Sequence, residues 1–140
     1  MTAADEEEDK VGGFIHLWRC MKTSQVWLEM PYSTGKLWLW LLMEAKFEGQ
    51  EGRDDLQPGQ LNHSIAFMVE AMAWIDAEYH RLRRPSVPTL YKGLRALQAA
   101  GNITREVSPG RGGGTALITV CKWWKYQSTR GGSKSAKENA

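Results

Sequence analysis

The chain has 140 residues, 42% of them apolar, and a formal net charge of only +2, which suits one domain with a core of its own. No apolar run approaches the ~20 residues a membrane span requires. The start carries Asp5-Glu6-Glu7-Glu8-Asp9 in place of a basic segment followed by an apolar one, so a membrane span and a secretory leader are both disfavoured and a cytoplasmic protein is expected. Cys20 and Cys121 have no paired spacing and are expected to be buried, reduced thiols.

The near-neutral total hides a division. Residues 1–78 hold 6 Lys/Arg against 14 Asp/Glu, net −8, whereas residues 79–137 hold 12 against Glu106 alone, net +11. A basic field of that size attracts polyanions at long range. Nucleic acid is therefore the first partner to consider.

Residues 1–12 are acidic and small, and are expected to form a disordered tail ahead of a folded domain over 13–127. Phe14-Ile15-His16-Leu17-Trp18 reads as an edge strand or the start of a short helix. Ser33, with Pro31 just outside, is placed to cap a helix running to about Lys46. Within it Leu37 to Met43 are apolar on every face, which implies a central helix or an oligomer contact. Glu48 to Gly59, with Gly49, Gly52 and Pro58, reads as a loop or hairpin.

Ser64 precedes Ile65, Met68, Val69, Met72, Ile75 and Tyr79, a spacing that predicts one long amphipathic helix to about Arg83, stopped by Pro85. Ser86 then caps a second helix through Val87, Leu90, Tyr91, Leu94 and Leu97, with Pro88 in its first turn and Gly101 at its end. Ile103–Val107 and Thr115–Cys121 read as two strands around the glycine-dense turn 108–114, and residues 128–140 as a disordered polar tail.

Helix, connection, helix and hairpin in that order predict an α+β, mostly helical winged helix-turn-helix with a C-terminal β-hairpin wing. The chemistry agrees independently. On the Ser86–Ala100 helix, Val87, Leu90, Leu94 and Leu97 form one face, and Thr89, Lys92, Arg95, Ala96 and Ala99 lie on or beside the opposite one. Small residues there, with Gly93, let the helix axis approach a groove while Lys92 and Arg95 reach phosphates or guanine edges. Ser86 and Thr89 sit at the positive end of the helix dipole. Arg81, Arg83 and Arg84 flank that helix, Arg105 lies on the first wing strand, and Arg111 has glycine on both sides at the wing tip. These nine are the candidate DNA contacts, with double-stranded DNA the expected partner.

Each has a plainer explanation. Lys92 and Arg95 fit a solvated helix face, the glycine run fits a simple turn, and the arginines around Pro85 fit capping of the preceding helix. Their coincidence on one set of elements favours nucleic acid. Trp38, Trp40 and Trp74 stand at helical spacing and are expected in the core, or for Trp40 in a subunit contact; Trp123 and Trp124 are expected on a strand, facing opposite ways. His16, His63 and His80 are scattered, and no P-loop or nucleophile motif occurs, so neither an enzyme nor a cofactor is expected.

The run Gly13 to Arg19, Trp27, and Trp38 with Leu41, Leu42 and Ala45 resemble the opening of N-terminal winged-helix domains in phage and prophage replication proteins of the DnaD-like, replisome-organiser type. Pro58-Gly59-Gln60-Leu61 with Ser64 is similar to the segment leading into their helix-turn-helix. Leu94, Leu97 and Gly101-Asn102-Ile103 resemble the end of their recognition helix, and Gly114-Thr115, Ile118-Thr119-Val120, Trp123 and Tyr126-Gln127 their closing strand. The resemblance spans about 13–127 and implies origin-DNA binding, assembly with replisome proteins, and dimers or higher oligomers, here through the Leu37–Met43 helix. It departs in two places. The family has a short turn where Met72 to Pro85 here prolongs the first helix, and its members continue into a linker and C-terminal domain, so this chain is read as a fragment or a stand-alone binder. A protein-interaction module and a transcriptional regulator of the same fold are the rival readings, with the acidic tail as a candidate mask for the basic face.

Overall fold

The computed structural model describes residues 15–47, 50, 52–53, 55–108, 115–123 and 127. Ile15 to Trp18 adopt no regular structure, and a 3-10 helix, Arg19–Thr23, leads into a short helix α1, Gln25–Glu29. The strand-or-helix alternative for the opening segment thus resolves to neither for its described residues, with Phe14 outside them. α2 spans Tyr32–Glu44, β1 Gln60–His63, α3 Ile65–Ala71, β2 Trp74–Asp76, β3 Arg81–Arg83, α4 Val87–Ala99, β4 Ile103–Ser108 and β5 Thr115–Val120. The fold is α+β. Among the described residues there are two antiparallel sheets, one of three strands in the order β1-β5-β4 and the separate hairpin β2-β3.

Local chemistry explains most boundaries. Ser64 and Ser86 each accept the N–H of the third residue on, from Phe67 at 3.1 Å and Thr89 at 3.2 Å, satisfying donors that a helix start otherwise leaves unpaired. α4 ends with Asn102 N–H donating to Leu97 at 2.9 Å and Gly101 N–H to Gln98 at 3.0 Å, and Gly101 has φ +82°, the Schellman stop. Ser33 is not a cap: α2 begins two residues earlier than expected, with Pro31 at its N-cap and no side-chain cap bond.

The long helix expected from Ser64 to Arg83 is corrected. α3 stops at Ala71, and the following residues form the β2–β3 hairpin. The cause lies at Asp76, whose Oδ1 accepts the N–H of Glu78 at 3.0 Å and of Tyr79 at 3.3 Å. That Asx-type turn competes with helical hydrogen bonding, while Trp74 and Ile75 favour a strand. Lys36 completes the break by donating Nζ to the carbonyls of Met72 at 3.2 Å and Ala73 at 3.3 Å. The helical spacing of Ile75 and Tyr79 was coincidental; both are exposed.

The core joins Leu37, Trp38, Leu41 and Leu42 of α2 to Met68 of α3, Leu90, Leu94 and Leu97 of α4, and Leu61, Ile103, Ile118 and Val120 of the sheet. In register, Leu61 faces Ile118 and Ile103 faces Val120, so the sheet turns one apolar face to the helices. α2 is central, the first of the two alternatives its sequence left open, although Met43 is exposed. Trp40 is half-buried against the rings of His63 and Phe67, with centroids 5.9 and 6.4 Å away. Trp74 is 44% exposed, not core. Cys20 is exposed and Cys121 half-buried, both free, because the 3-10 helix holding Cys20 buries none of its residues. β5 ends at Val120 and Trp123 lies beyond it; Trp124 and the turn 109–114 fall outside the described residues.

Two contacts close the domain. Gly59, at φ +89°, lies under Trp123, where an added Cβ would come 2.7 Å from Trp123 Cβ and 2.8 Å from Cγ of its indole. His16 N–H donates to Gln127 Oε1 at 2.8 Å and Gln127 Nε2 to the His16 carbonyl at 3.1 Å, joining the two ends of the described chain. Gly59→Ala is expected to cost about 3 kcal/mol, combining left-handed strain with overpacking. Gly101→Ala, at φ +82° with nothing within 4 Å, should cost only the strain, about 1 kcal/mol. Urea unfolding midpoints measure the difference, and equal midpoints contradict the Trp123 contact.

Candidate functional site

α4 divides into two faces. Leu90, Gly93, Leu94 and Leu97 are buried, and Thr89, Lys92, Arg95 and Ala99 are exposed, with Ala96 intermediate. Three of the nine candidate residues thus lie three apart along one open helical face. Val87, expected on the inner face, is exposed instead. Gly93 is the reason the inner face packs so closely: a Cβ there would lie 3.1 Å from Leu37 Cδ2 and 3.4 Å from Thr34 Oγ1.

At the start of α4, Ser86 is exposed but engaged. Its Oγ caps the Thr89 amide and lies 2.8 Å from the Thr89 hydroxyl. Ser86 therefore sets the helix start, and a ligand approaching Thr89 meets a hydroxyl already oriented by that bond. Arg81, Arg83 and Arg84 are exposed on and just after β3, immediately ahead of α4. Arg83 Nε donates to Asp76 Oδ2 at 3.1 Å and Arg84 Nε to Glu70 Oε1 at 2.7 Å, while the Arg81 guanidinium lies 5.7 Å from the centre of the Tyr79 ring. Solvated pairs of this kind hold about 0–1 kcal/mol each, and each bond uses Nε, so an anion can still engage the remaining N–H groups.

The other two candidates stand apart. Arg105 shares the Ile103 side of β4, is half-buried, and places its guanidinium 5.4 Å from the centre of the Tyr91 ring on α4. There it braces the strand against the helix. Arg111 lies outside the described residues. Lys122, which was not among the candidates, is exposed just past β5.

Sequence reasoning also missed a cleft of about 490 Å3 between the start of α2, the base of the β2–β3 hairpin and the start of α4. Tyr32, Lys36, Met72, Trp74, Pro85 and Leu90 are among its lining residues. It was hidden by the reading of 64–83 as one helix, which put Trp74 in the core. The signal that could have revealed it is Asp76 two residues after an aromatic, a turn former following a strand former. No helix of the described residues is long and apolar enough to cross a membrane.

Comparison of the chain with protein-family models, with curated proteins and with solved structures found no match. The site is therefore read from its own chemistry. Between residues 79 and 105 there are six Lys/Arg and no Asp/Glu, and five of the six are exposed on β3, α4 and the link between them. Ser86→Ala should lower stability by about 1 kcal/mol through loss of the cap, whereas Arg84→Ala should change it by less than about 1 kcal/mol. Thermal and urea unfolding of the two variants compare them directly; a larger loss for Arg84→Ala would mean that its pair with Glu70 is structural.

Proposed function

We propose that this chain is a DNA-binding winged helix-turn-helix domain, with α4 in the major groove and the β4–β5 hairpin against adjacent backbone. The observation that carries the reading is the open face of α4. Lys92 and Arg95 point away from the buried inner face, with Thr89 at its edge beside the cleft, three more arginines nearby and no carboxylate between residues 79 and 105. Lys92 and Arg95 reach phosphates or guanine edges, Thr89 contacts a base or phosphate near the helix start, and Arg81, Arg83 and Arg84 neutralise flanking phosphates. The order α2-β1-α3-β2-β3-α4-β4-β5, with the β2–β3 hairpin inserted between the two helices, and the sheet order β1-β5-β4 support the winged-helix part of the reading. Arg105, braced on Tyr91, holds the wing at a fixed angle to α4. The resemblance of residues 13–127 to DnaD-like phage replication domains directs the proposal to replication initiation.

Titration of duplex DNA at two salt concentrations tests it. With about six phosphates neutralised, the log–log salt slope should be near −5. Lys92→Ala/Arg95→Ala should weaken binding and make the slope shallower by about 2. A flat salt dependence, or a double variant that binds as the parent does, overturns the proposal.

A further inference from the structure

The cleft between α2, the β2–β3 hairpin and α4 has a built interior. Its floor is apolar and fixed, because Leu37, Met72 and Leu90 line it while buried in the core. Trp74 lines it from the base of the hairpin and still exposes 44% of its surface. The volume, about 490 Å3, lies within the roughly 300–1,000 Å3 of small-molecule sites, which combine apolar walls with a few placed polar groups.

Two polar groups of the lining define what fits. Thr34 is 3% exposed, yet its hydroxyl bonds no described residue. Polar groups so enclosed are ordinarily paired, and this one is a donor and acceptor for a molecule in the cleft; the Thr89 hydroxyl, by contrast, is engaged by Ser86 at 2.8 Å. Lys36 is the single charged residue of the lining. Two of its three donors are fixed on the Met72 and Ala73 carbonyls at 3.2 and 3.3 Å, which leaves one for an anionic group. Two positions apart on α2, Thr34 and Lys36 do not face each other: Thr34 lies against Gly93 of α4, and Lys36 reaches the end of α3. They mark opposite ends of the space. No carboxylate of the described residues lines it, and Glu70 and Asp76, on the adjoining elements, engage Arg84 and Arg83, so a cation finds no counter-charge there.

We infer that the cleft is a binding site for a small, flat, hydroxylated aromatic acid of one or two rings. The ring packs against the Trp74 indole in offset or edge-on contact, with the Met72 thioether in the floor beneath it. The ring hydroxyl bonds Thr34, and the acid group takes the remaining N–H of Lys36 in a charge-assisted bond. This inference stands apart from the DNA-binding reading, and its test contains no nucleic acid.

Calorimetric titration of the full chain with 6-hydroxy-2-naphthoate tests it, against 2-naphthoate, which lacks the hydroxyl, and the amide of the same hydroxylated ring, which lacks the charge. The variants are Thr34→Val, which keeps the β-branched shape, and Trp74→Val, which keeps the strand preference. Lys36 is left in place because it also holds the end of α3. The parent should bind one equivalent of the hydroxynaphthoate, and the amide should bind at least about tenfold more weakly. Thr34→Val should weaken the hydroxynaphthoate about five- to tenfold and leave 2-naphthoate unchanged, while unfolding thermally at or above the temperature of the parent. Trp74→Val should weaken both naphthoates about tenfold. No saturable binding by the parent, equal binding of acid and amide, or full affinity in both variants overturns the site. Earlier unfolding of Thr34→Val would mean that its hydroxyl is bonded within the protein, and overturns it as well.

Discussion

The crossing of α2 and α4 is the constraint on which the rest depends. At Gly93 the two helices approach so closely that a single added carbon would press on Leu37 and Thr34. The contact is tight, since Leu37 or Thr34 would have to yield by a few tenths of an ångström to admit that carbon, and a cleft opens beside it. The contact fixes the rotation of α4 about its own axis and so decides which residues face outward. Were α4 turned by one residue, about a quarter of a helical turn, Lys92 and Arg95 would swing toward the edge of the core and Leu90 or Leu94 toward water. The sheet reinforces the arrangement from below through Ile103, Ile118 and Val120, and Arg105 reinforces it from the side on Tyr91.

Cations in the two halves of the chain have different work. In the acidic half, Lys36, Lys46 and Arg53 all donate to backbone carbonyls: Lys36 at the end of α3, Lys46 to Arg53 and Leu56, and Arg53 to Glu44. Those charges stitch irregular backbone to helices. In the basic half, Arg83 is held by the half-buried Asp76 and Arg84 by the exposed Glu70, and Lys92 and Arg95 lie open on α4. Charges that bond backbone carbonyls hold the chain's own path, whereas surface charges in solvated pairs can be redirected to a ligand. Lys36, Lys46 and Arg53 are thus structural cations and those of β3 and α4 available ones, while Arg105, braced on Tyr91, is a structural cation within the basic half.

Much of this was legible before any coordinates. Ser64, Ser86 and Gly101 announced helix ends because capping is local chemistry, confined to a few consecutive residues. The inner face of α4 followed from its apolar spacing, except at Val87, where the first turn extends past the core. The β2–β3 hairpin was not legible, since Ile75 and Tyr79 happened to continue a helical period and the deciding interaction was a side-chain carboxylate capturing two amides. The start of α2 was misplaced by a serine that looked like a cap but stood one residue inside the helix. Arg105 looked like a phosphate ligand on charge alone; only the pairing of β4 with β5, a non-local matter, turns it toward Tyr91. The cleft at Trp74 was invisible for the same reason.

The connection from α2 to β1 is closed at its neck. Gly59 N–H donates to the Lys46 carbonyl at 2.8 Å and Lys46 N–H to the Gln60 carbonyl at 2.9 Å, so the chain leaves and re-enters the domain at one point. A loop drawn together in this way transmits little of its own length to the body, because loop-closure entropy rises only logarithmically with added residues. Leu56, buried at 5% exposure, and Arg53, on the Glu44 carbonyl, anchor the returning half of that loop, so a change of length made outside those anchors leaves α2, β1 and everything packed on them in their places.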